Sequence, residues 1–191
     1  MRELSLNVMD ISQNSISAKA TLITIAVDES VPEDRLSIRV EDNGCGMTPE
    51  QVEHVIDPFY TTRTTRNVGL GVPLFKMEAE MTGGSFEIHS EKGKGTWLQA
   101  NFKPSSVDMI PLGDIGGTVL LLVSSNPQID FVYTRRYVTA SGEEREFALK
   151  TQELREILGE DVSLNAPDVV LWIKDFLTEQ TQELLNPGSV N

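Results

Sequence analysis

Residues 35–47 read RLSIRVEDNGCGM, and this stretch decides the fold. Arg35 to Glu41 alternates apolar and polar residues and is rich in β-branched side chains, the pattern of a strand buried on one face. Asp42-Asn43-Gly44-Cys45-Gly46-Met47 then turns the chain. A carboxylate at a strand end can accept a hydrogen bond from an exocyclic amine, and glycines let the backbone come close to a flat ring. A plain strand-to-helix turn also favours glycine, so the stretch alone leaves both readings open. Cys45, inside the turn, reads as a packed thiol.

Upstream, Leu4, Val8 and Ile11 recur at helical spacing, which predicts a helix from Glu3 to Ala18. Asn7, Asp10 and Asn14 share a second stripe of that helix. They are either its solvated side or the wall of a site. In the second case an amide oxygen suits magnesium, which prefers hard oxygen ligands, and a carboxylate one turn away can orient water or take a proton. TLITIAV (Thr21 to Val27) reads as a strand joined to the next by a turn at Val31-Pro32-Glu33-Asp34.

Downstream, Thr48 caps a short helix, with Pro49 at its first position and Gln51 at its third. Ile56 to Val68 has turn residues and no period, and reads as a mobile loop. Its Arg63 and Arg66 either reach terminal phosphates or serve solubility. Gly69 to Met81 is predicted to be a helix entered through glycines, where free amides attract phosphate. No Gly-Lys-Ser/Thr follows, so this is no Walker loop. The glycines do not follow the first strand, which disfavours a dinucleotide fold. Gly83-Gly84 stops the helix, and Ser85 to Glu91 with Gly95 to Phe102 reads as a hairpin.

Pro104 to Gly117 breaks the pattern and is a candidate domain boundary. Beyond it, TVLLLVS (118–124), DFVYTRRYVT (130–139) and EREFALK (144–150) read as strands. Thr151 to Leu158 and Asp168 to Leu185 read as helices, the latter with Val169, Val170, Ile173, Phe176 and Leu177 at core spacing and Trp172 beside them.

The 191 residues carry a formal net charge of -13, so nothing basic is in excess to cover a nucleic acid. Hydrophobic residues make up 39% and charged residues 24%, values of a soluble globular chain. One cysteine excludes an internal disulfide and fits a reducing compartment. The N-terminus, MRELSLNVMD, has no apolar segment typical of a signal peptide, and Val119 to Val123 is too short to cross a bilayer. The expectation is a cytoplasmic protein with no nucleic-acid and no membrane partner.

The order of the pieces resembles the GHKL ATPase superfamily of histidine kinases, anti-sigma kinases, gyrase and MutL-type proteins. NSISAKATLITI looks like its N box, DNGCGM like its G1 box and GLGV like its G2 box. DPFYTTR (57–63), its spacing to GLG, and the 83–102 hairpin look closest to the catalytic domain of histidine kinases. The resemblance implies a two-layer α/β sandwich, the Bergerat ATP-binding fold, over residues 1–104: a mixed sheet covered on one face by helices. Residues 108–191 form a C-terminal α+β region for interaction, dimerisation or sheet extension.

The resemblance also implies roles. Asn14 matches the magnesium-binding asparagine and Asp42 the aspartate that reads the adenine amine. Gly44 and Gly46 match the glycines of the adenine pocket, with Met47 beside them. Gly69 and Gly71 match the glycines of the phosphate lid and flank Leu70, and Arg63 and Arg66 join them as nucleotide-binding candidates. Asp10 falls where relatives place a glutamate base or an asparagine, and is the catalytic candidate. Ser17 replaces a common basic residue, and Asn67-Val68 replaces the usual Gly-Thr opening of the G2 box. The chain begins almost at the N box, so a phosphoacceptor hairpin is not expected; His54 and His89 read as structural. Three functions follow: a protein kinase acting in trans on a regulatory partner, an ATPase with a hydrolysis-driven conformational cycle, or a non-catalytic nucleotide-gated interaction module.

Overall fold

The computed structural model describes residues 3–57, 71–159 and 162–187. It holds α1 (Leu4–Ser17), β1 (Leu22–Ser30), β2 (Arg35–Asp42), α2 (Pro49–Val55), α3 (Gly71–Met81), β3 (Ser85–Glu91), β4 (Gly95–Phe102), α4 (Ile115–Ser125), β5 (Asp130–Val138), β6 (Glu144–Lys150), α5 (Thr151–Leu158) and α6 (Pro167–Leu185). The strands form one mixed sheet in the order β3-β4-β2-β1-β5-β6. Every neighbour is antiparallel except β1 with β5, which run parallel over Leu22–Ser30 and Asp130–Val138.

The helices lie on one face. α3 packs on β3 and β4, α1 on β2, α4 on β5, and α6 on β5 and β6; laterally α1 touches both α3 and α4, and α4 touches α6. Alternation along the strands explains this arrangement. Ile23, Ile25 and Val27 of β1, Leu36, Ile38 and Val40 of β2, and Leu98, Ala100 and Phe102 of β4 are all buried beneath the helices. Phe75 of α3 is fully buried and meets Phe102 and Phe86 at 5.5 and 6.5 Å between centroids. Each such side chain contributes about 1.5–3 kcal/mol by leaving water. The other face is polar and open. There His89 stacks on Trp97 at 4.3 Å, and the Arg39 guanidinium lies 4.3 Å over the Trp97 ring.

Helix ends follow the local chemistry. Thr48 and Gln51 form the expected capping box on α2. α3 ends as glycine dictates: Gly83 takes φ 78°, its N–H donates to Glu80 O, and Gly84 N–H donates to Ala79 O. α1 has no side-chain cap. Its first amides instead donate to the carbonyls of Pro111 and Leu112, at 3.0 and 2.9 Å. The irregular 104–114 segment thereby satisfies groups that a helix start leaves unpaired.

The stretch 118–124, expected as a strand, is the body of α4. Asp114 caps it by accepting from Gly117 N at 2.8 Å. Ile115, Val119, Leu122 and Val123 are buried at helical spacing. A short apolar run carries no period of its own, and here the cap and the wider spacing decide for helix. The loop expected over Ile56–Val68 lies, beyond Asp57, outside the described residues.

Candidate nucleotide site

The motifs meet along one helix. β2 ends in Asp42, whose side chain continues the covered face below Val40. Ser15 of α1 donates to Asp42 Oδ2 at 2.6 Å, and Gly44 N donates to Asp42 Oδ1 at 2.8 Å. The half-buried carboxylate is thus held at both oxygens by charge-assisted bonds. Each oxygen keeps a second lone pair able to accept from an exocyclic amine.

The turn after Asp42 is clamped between α1 and the β3–β4 hairpin. Asn43 Oδ1 accepts from the backbone amides of Thr21 and Leu22 at 2.8 and 2.9 Å. Cys45 N–H donates to Ala18 O at 2.9 Å, and Cys45 O accepts from Gly93 N–H at 2.7 Å. Met47, half-buried against the core, donates its N–H to Ser90 Oγ at 2.8 Å. Gly46 sits at φ 61°, and a Cβ there meets the Glu91 backbone, so only glycine fits. The Cys45 thiol is exposed, contrary to the packed reading. Both backbone groups of Cys45 are tied inward, which leaves its side chain to point outward.

α3 begins against α1. A Cβ on Gly71 falls 2.8 Å from Asp10 Cβ, so the glycine brings the two helices into close approach. Asp10 therefore stands at the N-terminal end of α3, the positive end of its dipole. Ser15 follows Asp10 by five positions, roughly 7.5 Å along the helix axis. Asn14 lies between them, half-buried. Neither the Asp10 carboxylate nor the Asn14 carboxamide makes a hydrogen bond among the described residues. Asn7 departs from that stripe. It is fully buried and donates Nδ2 to Glu78 Oε2 of α3 at 2.5 Å, which braces the two helices.

The structure thus brings Asp10, Asn14, Asp42, Gly44, Gly46, Met47 and Gly71 around the Asp42 end of α1 and β2. Arg63, Arg66, Gly69 and Leu70 lie outside the described residues. His89 sits on the open face, stacked on Trp97, and lines the same surface depression as Asp42; His54 is exposed near the end of α2. Three polar residues escaped the sequence reading: Ser15, Ser90 and Thr96. Thr96 pairs with Asp42 across β4 and with Ser90 across β3, and the two hydroxyls lie 2.7 Å apart. Ser15 had a signal, since it falls four residues after Ile11 in the slot where the buried stripe calls for an apolar side chain. The described residues contain no helix long and apolar enough to cross a membrane.

The chain is similar to several known proteins. The sensor protein SrrB of Staphylococcus aureus (strain NCTC 8325 / PS 47) is 43% identical over 79 residues, which cover 39% of this chain and 13% of SrrB. The chain therefore spans a small part of that relative's length. Among solved structures, the N-terminal domain of a DNA repair protein superposes with a TM-score of 0.52 at 15% identity, covering 84% of this chain and 58% of that one. The Aquifex aeolicus MutL ATPase domain complexed with ADP gives 0.48 at 19% identity, over 83% and 69% of the two chains. Residues 1–106, more than half of the chain, match the family described as histidine kinase-, DNA gyrase B-, and HSP90-like ATPase, and to that GHKL family the chain belongs.

Proposed function

We propose that the protein is a cytoplasmic, magnesium-ATP-dependent protein kinase that phosphorylates a separate regulatory partner in signal transduction. The observation that carries this reading is the placement of two anchors on one helix. Ser15 fixes the Asp42 carboxylate, and Asp10 meets the first residue of α3. In this reading Asp42 accepts from the adenine amine, while Gly44, Gly46 and Met47 shape the ring's pocket. The phosphates run toward Gly71 and the start of α3; Gly69, Leu70, Arg63 and Arg66, nucleotide-binding candidates by the motif resemblance, lie outside the described residues. Phosphoryl transfer then relies on positioning and charge neutralisation.

Asn14 suits a magnesium ligand: its amide oxygen is a hard donor beside Asp10 with no competing hydrogen bond among the described residues. The ion, when bound, would neutralise phosphate charge. Asp10 deprotonates or orients the acceptor, and its carboxylate is likewise uncommitted among the described residues. The relative SrrB is named a sensor protein, which favours a signalling role. Residues 1–104 carry the nucleotide chemistry, and residues 108–191 serve interaction.

The test uses terminally labelled ATP and magnesium, with and without native extract. Label on a second protein is expected and disappears with Asp10→Asn; no labelled protein under any condition refutes the kinase. A second reading, an ATPase with a conformational cycle, is favoured by that same carboxylate at a helix start. It predicts free phosphate instead of labelled protein, again lost in Asp10→Asn. Tight ATP binding without either product points to a nucleotide-gated interaction module.

A further inference from the structure

Among the described residues β6 is an edge strand, with β5 as its strand neighbour in the sheet. Its outer row of backbone N–H and C=O groups is a template for another strand, and it carries no proline to block one. At the opposite edge, α2 packs against β3. Above β6 an aromatic ladder climbs from the core toward solvent. Tyr133 of β5 meets Phe147 of β6 edge-on at 5.8 Å, Phe147 meets Phe176 of α6 at 6.2 Å, and Phe176 stacks on Trp172 at 5.2 Å. Trp172 ends the ladder 49% exposed. Arg145 of β6 donates to Leu184 O at 3.1 Å and ties the far end of α6 to the same edge.

We propose that β6 and the adjoining side of α6 form the interface of a homodimer, in which two copies pair β6 antiparallel about a two-fold axis at Phe147. The sequence of β6, Glu144-Arg145-Glu146-Phe147-Ala148-Leu149-Lys150, is complementary to itself in that register. Glu144, paired in its own chain with Arg136, faces the second copy's Lys150, paired in its own chain with Glu153, at both ends; Arg145 faces Leu149, and Glu146 faces Ala148. No like charges oppose each other, and opposite charges across strands stabilise the pair. Centring the axis one residue earlier sets Glu146 against Glu146. A protein partner would need a complementary strand; a second copy already has one.

The helix layer fits the same arrangement. Strands are spaced about 4.8 Å apart. α6 lies over β5 and β6, so two copies place their α6 axes roughly two strand spacings apart, about 9–10 Å. Helices pack at about 8–10 Å. Phe176 and Trp172 flank the axis and become buried, which removes the exposed aromatic at the sheet edge. The two sheets join into one continuous sheet with all helices on one side, a closed isologous contact.

Sedimentation equilibrium over a concentration series tests this, with ATP binding as the control for folding. The wild type is expected to dimerise. Lys150→Glu alone and Glu144→Lys alone each set like charges together at both ends and weaken the dimer at least tenfold. The double variant Glu144→Lys/Lys150→Glu restores the cross-strand pairs and dimerises more tightly than either single variant, short of wild type because each new side chain adjoins a like charge in its own chain, Arg136 or Glu153. Both residues are exposed and lie on β6, three strands across the sheet from β2 and Asp42, so ATP affinity stays unchanged. A wild type that is monomeric at every concentration overturns the proposal, as does a dimer that either single variant leaves intact.

Discussion

Gly46→Ala is the most informative single change to the fold of the site. At this position two costs add. The backbone sits at φ 61°, where a side chain costs about 1–2 kcal/mol. The new Cβ also lies 2.7 Å from the Glu91 carbonyl carbon, and nearer still to its oxygen, where ordinary contact begins at 3.4 Å. The shortfall is 0.7 Å at the carbon and larger at the oxygen, and it is against backbone, which cannot rotate away. The turn must retreat and strain the bonds from Gly93 N to Cys45 O and from Met47 N to Ser90 Oγ. Overpacking of this kind costs about 1–3 kcal/mol.

The structure supplies its own control. Gly93 has φ 85° but nothing within 4 Å of an added Cβ, so Gly93→Ala carries the backbone cost alone. The two variants should therefore differ by about 1–3 kcal/mol. In a chain of this size that is roughly 2–4 °C of Tm per kcal/mol. Thermal unfolding by circular dichroism measures the difference, and calorimetric titration measures ATP affinity. Affinity is expected to fall at least about tenfold in Gly46→Ala, some 1.4 kcal/mol, and to hold in Gly93→Ala. Equal melting and equal affinity in the two variants would refute the claim that the hairpin clamps the turn after Asp42.

Ser15→Ala removes a bond to a charged acceptor, worth about 1.5–3 kcal/mol, and ATP affinity measured by titration should drop by about tenfold without loss of helix content. Asn14→Ala should abolish the magnesium dependence of ATP binding; calorimetry giving the same magnesium dependence as wild type rejects the metal role. Burial pushes the Tyr133 hydroxyl up to about 12 from 10.0. Above pH 10 the unfolded chain releases this proton and the folded chain keeps it, so stability is full below pH 10 and falls as pH rises toward 12, by about 2–3 kcal/mol. In Tyr133→Phe that alkaline loss should shrink in urea titrations, and at neutral pH the change in stability should be small, because the buried hydroxyl makes no hydrogen bond of good geometry among the described residues and gains only a weak interaction from the Arg135 guanidinium beside it.

The N-terminal half was legible because its signals are local. The stripe of Leu4, Val8 and Ile11, the Thr48–Gln51 cap and the Gly83-Gly84 stop each set an element within a few residues. Asp42 and Gly71 were legible as motif residues, since chemistry at a strand end and a helix start needs particular side chains. What escaped depends on distant pairing. Ser15 meets Asp42 27 positions away, and Asn7 meets Glu78 71 positions away. Thr96 and Ser90 gain meaning only once β4 lies beside β2. The parallel union of β1 with β5 likewise has no local mark, although both strands share one alternation of buried and open residues. α4 was misread because a run of Val and Leu suits strand and buried helix alike, and Asp114 settles it from outside the run.

The central claim is that Asp42, held by Ser15, selects the adenine of ATP in a cleft along α1. Calorimetric titration of wild type and Asp42→Asn with ATP and with inosine triphosphate, which lacks the exocyclic amine, tests it most directly. Wild type should prefer ATP by roughly 10- to 100-fold, the worth of one charge-assisted hydrogen bond, and Asp42→Asn should lose that preference. Equal affinity of the wild type for the two nucleotides, or a preference that survives Asp42→Asn, would contradict the account.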